Sequence, residues 1–295
     1  MTMANRETNP TKIADGLMVP EIWSKLILRN LDDYGVMADC VNKDHEGEIR
    51  YAGDTVRIPS VGNITVRTHA DDTAITYDEP TGSEQVLNID QQKEWGFRLS
   101  TIEMKQANVK ELQAKYVARA KVAITNTKDA ALHALGFAGV DTANQVGTVA
   151  ATKANIYDTC LDLYQKLADT NAIGANGRGE DGKRPFLIVP PAIVKLMKAA
   201  PEMTHSTAAA DDVIRKGTIM QFAGFDIKQS TLIKNATGYK ILAGTTEGIT
   251  YADQILETKV SEDKDFFGIY VAGLYVYGMK VVQPKALASA TLTVA

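Results

Sequence analysis

Residues 48–99 constrain the fold more than any other stretch, because they read as a long β arm with too few apolar side chains to fold alone. Val56 and Ile58 alternate with Thr55 and Arg57, and Ile64 and Val66 alternate with Thr65 and Arg67. A return limb runs through Val86, Leu87 and Ile89 to Trp95, Phe97 and Leu99. Alternation of this kind predicts strands with one half-buried face. Between Ser60 and Gln85, however, turn formers dominate and large apolar residues are sparse. A hairpin this poor in core is marginal in water. The arm therefore needs cover from outside itself, and a second copy of the chain is the expected cover.

The arm runs directly into the strongest helical pattern, Thr101 to Leu135. Val109, Leu112, Tyr116, Ala120, Ala123 or Ile124, Thr127, Ala131 and Ala134 recur at helical spacing, with Lys105, Lys110, Lys115, Lys121 and Lys128 opposite. At about 1.5 Å per residue such a helix spans roughly 45 Å. Gly136 and Gly139 are the expected stop. Before the arm, residues 1–19 read as an extended polar segment. Pro20 then precedes an amphipathic helix with Ile22, Trp23, Leu26, Ile27 and Leu31 on one face, and Val36–Val41 reads as a strand. After the long helix, Ile156, Cys160, Leu163 and Leu167 predict another, with Thr152 as N-cap. A flexible loop, Gly174–Gly182, leads to an apolar strand at Phe186–Val189 and a short helix from Pro190–Pro191 through Met197. Residues 201–212 read as an exposed loop. Strands follow at Phe225–Ser230 and Tyr239–Ala243, and Phe266–Val294 is β-rich.

Composition narrows the function. The 32 basic and 36 acidic residues leave a net charge of -4, against a nucleic-acid-gripping surface as the main role. The two cysteines, Cys40 and Cys160, lie in apolar patterns and read as buried thiols. The N-terminus has no apolar signal-peptide run, and no stretch approaches the roughly 18 apolar residues of a membrane span.

No motif supports catalysis. Gly177-Arg-Gly-Glu-Asp-Gly182-Lys183 matches GxxxxGK, but Arg184 stands where a phosphate loop needs Ser or Thr for magnesium. The context is also inverted, since this loop follows a helix and opens a strand. His45, His69, His133 and His205 lack metal-ligand spacing, and His133 reads as a packed helix residue. The pairs Asp32–Asp33, Asp71–Asp72 and Asp211–Asp212 lack a calcium-loop pattern. The chain is expected to be no enzyme, with no catalytic residues, no cofactor and no metal site.

Charge is more informative in the arm. Asp71, Asp72, Asp78, Glu79 and Glu84 form an acidic tip without lysine or arginine, while the long helix is basic. Such charges contribute little individually but set register between copies. Arg57, Arg67, Asp71, Asp72, Asp78, Glu79 and Glu84 are the expected inter-subunit contact residues.

The order of these segments resembles the tailed-bacteriophage major capsid protein of the Hong Kong 97 fold. Gly53-Asp-Thr-Val-Arg-Ile-Pro59 resembles the start of that family's extended loop, and Ile89-Asp-Gln-Gln-Lys-Glu-Trp95 resembles its return. Ala114–Leu135 is similar to its spine helix. Arg184-Pro-Phe-Leu-Ile-Val-Pro190 resembles its central axial-domain strand, and Lys216–Ser230 the glycine-punctuated segment that follows. Phe267–Gly278 resembles the strand returning to the peripheral domain.

The resemblance implies an α+β capsid fold divided as follows: N-terminal arm and short helix over 1–47, extended β loop over 48–99, and spine helix with the start of the peripheral domain over 100–150. The axial domain would occupy 151–260, and the β-rich return to the peripheral domain 261–295. It implies a structural protein of the virion, assembled in the host cytoplasm into hexamers and pentamers of an icosahedral head that encloses double-stranded DNA. Residues Gly174–Gly182 and Thr204–Asp212 would be axial-domain loops. A portal is an implied partner, a decoration protein a possible one, and no membrane is involved. Some relatives crosslink through a loop lysine, but no lysine lies between Lys43 and Lys93, so noncovalent contacts or a cementing protein are expected instead. The chain starts almost directly at its N-terminal arm, from which a separate scaffolding protein is expected, although a leader already removed by a protease would look the same. The rival of the same fold is an encapsulin-like compartment that encloses cargo enzymes. A second rival, of different class, is a monomeric β-rich binding module.

Overall fold

The computed structural model describes residues 35–44, 55–61, 65–68, 71, 74, 77, 82–100, 109–201, 221–233, 238–262 and 267–294. The helix predicted after Pro20, the loop at 202–212, and His45, His69 and His205 lie outside the described residues.

Within the arm, β1 (Thr55–Val61) pairs antiparallel with β2 (Gly82–Asn88), and Val56 faces Leu87. Alternation thus predicted both strands. It overextended the first limb, since residues 65–68 form no strand and Val66 is 95% exposed. The return limb also divides at Ile89–Asp90. Beyond that break, β3 (Gln91–Ser100) leaves the arm and pairs with β10 (Gly268–Val281), which pairs in turn with β9 (Ile249–Glu262). These form one three-stranded sheet.

The predicted cover from another copy is not what holds the arm's root. Val56, Leu87 and Ile89 are buried against Ala252 and Val276 of the same chain. Gln85 Nε2 donates to the Val282 carbonyl at 3.0 Å, and Lys280 Nζ donates to the Val86 carbonyl at 2.9 Å. Gly278 permits the approach, because a Cβ there would lie 2.5 Å from the Asn88 carbonyl oxygen.

The long helix, α1, spans Val109–Ala138. Gly136 lies inside it rather than ending it. A Cβ at Gly136 would sit 2.7 Å from Leu242 and 2.8 Å from Ile249, so this glycine lets the helix lie close on the strands beneath. The buried stripe is also rotated from the predicted one: Val117, Lys121, Ile124, Thr125, Lys128, Asp129 and Leu132 face inward. Ala123, Thr127 and Ala134 face out. Small residues tolerate either side, and buried partners for the charged groups decided the rotation.

Val36–Val41 is not a strand. Met37–Asp39 forms a 3-10 turn, with the Cys40 N–H donating to the Met37 carbonyl at 2.9 Å. The Asp129 carboxylate on α1 accepts the Val36 N–H at 2.9 Å and so fixes the turn. Met37, Ala38, Cys40 and Val41 are all buried, which no alternating strand would achieve on one face.

A six-stranded sheet, in the order β4-β11-β8-β5-β7-β6, forms the second layer. Its strands are β4 (Gln145–Ala151), β5 (Phe186–Val189), β6 (Gln221–Phe222), β7 (Phe225–Gln229), β8 (Tyr239–Gly244) and β11 (Leu287–Val294). Both faces are covered, which explains the uninterrupted apolar run of β5. Leu187, Val189, Ile241, Ala243, Ala288 and Leu292 pack with α2 (Ile156–Asp169) and α3 (Pro191–Lys198). Phe186, Ile188, Leu242 and Leu287 join the core that includes Val117, Ile124 and Leu132 of α1 and Val271, Tyr275 and Tyr277 of β10. The division expected at 260/261 differs from sheet membership: β9 pairs with β10, while β11 pairs with β4 and β8.

The cap of α2 is Asn155 rather than Thr152. Its Oδ1 accepts the Thr152 N–H at 2.7 Å and hydroxyl at 3.0 Å, while its Nδ2 donates to the Ala150 carbonyl at 2.8 Å. The sequence 174–183 is an ordered pair of turns, with Gly174 N–H donating to Arg178 O at 2.8 Å and Gly179 N–H to Lys183 O at 2.9 Å. Thr246 Oγ1 donates to Asp181 Oδ2 at 2.6 Å, tying the loop to the body.

Candidate inter-subunit contact surface

The contact residues predicted on the arm fall into three groups. Arg57 and Glu84 meet across the ribbon at 3.2 Å, with side chains 71% and 48% exposed. They therefore pair within one chain and hold the ribbon's register weakly. Arg67 and Asp71 are exposed beyond the paired strands. Asp72, Asp78 and Glu79 lie outside the described residues. The arm also exposes two apolar side chains that charge reasoning passed over, Val66 at 95% and Tyr77 at 83%. Alternation predicts a half-buried strand face for Val66, and the structure leaves the side chain in water instead.

The basic helix changes character as well. Lys121 and Lys128 are each 4% exposed, so neither presents charge to a neighbour. Lys128 Nζ contacts Asp253 Oδ2 at 3.0 Å and stands 4.2 Å above the Tyr251 ring. The Tyr251 and Tyr275 hydroxyls donate to the same carboxylate oxygen at 2.6 and 2.5 Å, and the two hydroxyls also contact each other. Burial pushes the Asp253 carboxyl up, but Lys128 and the tyrosine hydroxyls outweigh it and hold the group below its usual range. Burial, with the neighbouring carboxylate, raises both tyrosines. This cluster joins α1 to the three-stranded sheet. The sequence carried no sign of it, because Lys128 and Asp253 are 125 residues apart.

Asp129, His133, Cys40 and Cys160 are shifted mainly by burial. Burial raises the Asp129 carboxyl, against the opposing N–H groups of Val36 and Met37 and the charge of Lys128. Burial lowers His133 to about 4, and it pushes the free thiols of Cys40 and Cys160 up to about 12. A cleft of about 890 Å³ lies between residues 38–44, the 178–184 loop and the ends of β5 and β7. Its charges largely neutralise one another: Asp39 pairs with Lys228 at 3.4 Å and Asp181 with Lys183 at 3.5 Å. Arg178 Nη1 donates to the Gly182 carbonyl at 2.9 Å instead of facing a phosphate. Among the described residues, no group of three His, Cys, Asp or Glu side chains is placed to hold a metal. No helix among them is long and apolar enough to cross a membrane.

No family model and no curated protein matches the chain. Solved structures do. A chain from Mycobacterium phage Che8 superposes with a TM-score of 0.66 at 20% identity, covering 87% of this chain and 91% of that one. The mature capsid of bacteriophage PhiM1 gives 0.62 at 11% identity, covering 84% and 83%. The capsid of cyanophage P-SCSP1u gives 0.61 at 13% identity, covering 82% and 84%. The fold is that of phage capsid chains. The matches span more than four fifths of the chain.

Proposed function

We propose that this chain is a major capsid protein that self-assembles into the icosahedral head of a tailed phage, enclosing double-stranded DNA. One observation carries the reading: the likeness to phage capsid structures extends over 82–87% of the chain. An arm rooted on its own sheet but projecting exposed residues suits a subunit that completes its surface with neighbours. The three-stranded sheet with α1 corresponds in this reading to the peripheral domain, and the six-stranded sheet to the axial domain of the Hong Kong 97 type. The role is structural rather than catalytic, its place is the virion, and assembly occurs in the host cytoplasm. Its partners are further copies in hexamers and pentamers, a portal, and a scaffolding protein. A decoration protein is compatible with the reading. Arg67, Asp71, Asp72, Asp78 and Glu79 stay assigned to the inter-subunit surface, with Arg57 and Glu84 bracing the ribbon behind them. An encapsulin-like compartment is not favoured, because the similar structures named above are of phages.

Many modest interfaces closed by symmetry would supply the shell's stability. Electron microscopy and sedimentation of the purified chain, with and without a co-expressed scaffold, test the reading. Closed particles are the expected result. A chain that stays monomeric under every condition would refute it. Asp78→Lys with Glu79→Lys is expected to lower particle yield while leaving the subunit folded, and normal yield would reduce the acidic tip to a solubility feature.

A further inference from the structure

A cavity of about 140 Å³ lies where helix α1 meets the three-stranded sheet, beside the cluster built on Asp253. Ile124, Tyr275 and Tyr277, all buried, line it together with Trp95 of β3. Ala123 and Thr127 line it too and are exposed, so the cavity opens along the side of α1. The position of Trp95 is set by two neighbours. Gly273 is its cross-strand partner on β10, and a Cβ there would overlap the indole, so the ring lies across bare backbone. Phe97 stacks with it at 6.2 Å between centroids and stacks in turn on Tyr116 of α1 at 5.1 Å. Held this way, the indole has its Nε1 buried and without a hydrogen-bond partner. A buried indole N–H ordinarily finds an acceptor, and leaving it unmatched costs free energy. Charge, by contrast, is already matched. Lys128 contacts Asp253 at 3.0 Å, and Lys93 and Glu94, which line the cavity and are exposed, carry opposite signs.

We infer that this cavity is a binding site for a small uncharged aromatic molecule bearing an oxygen acceptor, of the benzyl alcohol class, whose oxygen accepts the Trp95 indole N–H. Three features select that chemistry. The volume is close to that of an apolar cavity of about 150 Å³ that binds benzene. The buried lining is aromatic and aliphatic, which favours a ring. The indole supplies an unmatched donor, whereas the matched charges leave nothing to offset the burial of an ion. The site lies within one chain, so it stands whether or not copies assemble into a shell. An occupant would brace α1 against the sheet and so stabilise the folded subunit.

Titration of the full-length chain with benzyl alcohol tests the site. The chain has two tryptophans, Trp23 and Trp95, so in a Trp23→Phe background the fluorescence reports Trp95 alone. A saturable shift is expected, with a Kd on the order of 1 mM for a ligand of about eight non-hydrogen atoms. Toluene, which keeps the ring and lacks the oxygen, should bind about three- to tenfold more weakly. Ala123→Leu fills the cavity from an exposed helix position and should abolish the shift. Thr127→Leu takes its place if circular dichroism shows that the first variant does not fold. A response that fails to saturate, or one that survives the filled cavity, would overturn the inference. Equal binding of toluene would overturn the part given to the indole N–H.

Discussion

Lys128→Met tests how α1 is held to the three-stranded sheet. The Lys128 and Asp253 side chains are 5% and 13% exposed, and their contact is 3.0 Å. Methionine fills a similar volume but leaves the carboxylate buried without its cation. Breaking such a pair from one side costs about 3–5 kcal/mol. Asp253 keeps the hydroxyls of Tyr251 and Tyr275 as donors, which places the expected loss near the lower end, about 3 kcal/mol. The pH dependence follows from the direction of the shift. Asp253 titrates below its ordinary value in the folded chain, so its contribution is complete above about pH 4 and is lost as pH falls through the folded value. Without Lys128, burial prevails and the carboxyl titrates above its ordinary value. The variant's deficit should thus be largest near about pH 7 and shrink toward about pH 4.5. Urea denaturation of unassembled subunits, followed by circular dichroism, measures both. Adding Asp253→Asn should recover part of the loss, because no buried charge then remains. A deficit under about 1 kcal/mol at neutral pH, or one independent of pH, would refute the reasoning.

Gly278→Val places a Cβ 2.5 Å from the Asn88 carbonyl oxygen, so the arm's root must shift. The expected cost is about 1–3 kcal/mol, with faster hydrogen exchange in β2; unchanged exchange would mean that the root is not seated there. His133 has a folded pKa of about 4 against an ordinary 6.5, so the unfolded chain binds more protons between those values. Stability should therefore rise with pH across that window, and His133→Leu should flatten the profile in urea titrations. Cys40 and Cys160, raised to about 12, should resist a thiol reagent at about pH 8 until the chain unfolds, and rapid labelling of the folded protein would contradict their burial.

Much of the fold was legible where local periodicity and tertiary burial agree. The ribbon of β1 and β2, the length of α1, the buried run of β5 and the short α3 each follow from patterns within about a dozen residues. Misreadings arose where partners distant in sequence decided the outcome. Val36–Val41 turns because Asp129 accepts its N–H, and β3 leaves the arm because β10 offers it a paired edge. The face of α1 departs from the expected one because lysine ordinarily faces solvent, whereas Asp253, from a strand far along the chain, gives Lys128 a buried counter-charge. For the contact surface, the acids of the tip were visible as residue types, but exposure of Val66 and Tyr77 was not.

By itself the sequence determined that this chain carries a polar arm, a long helix and a sheet-rich body, because helix and strand periods are local properties of spacing. Only the tertiary structure decided what the arm lacks. Its root is covered by the chain's own Ala252 and Val276, so the deficit lies further out, at Val66 and Tyr77. It also decided that the long helix buries Lys121, Lys128 and Asp129 and turns Ala123, Ala130 and Ala134 outward. Burial depends on which distant surfaces meet, and spacing along one segment does not encode that.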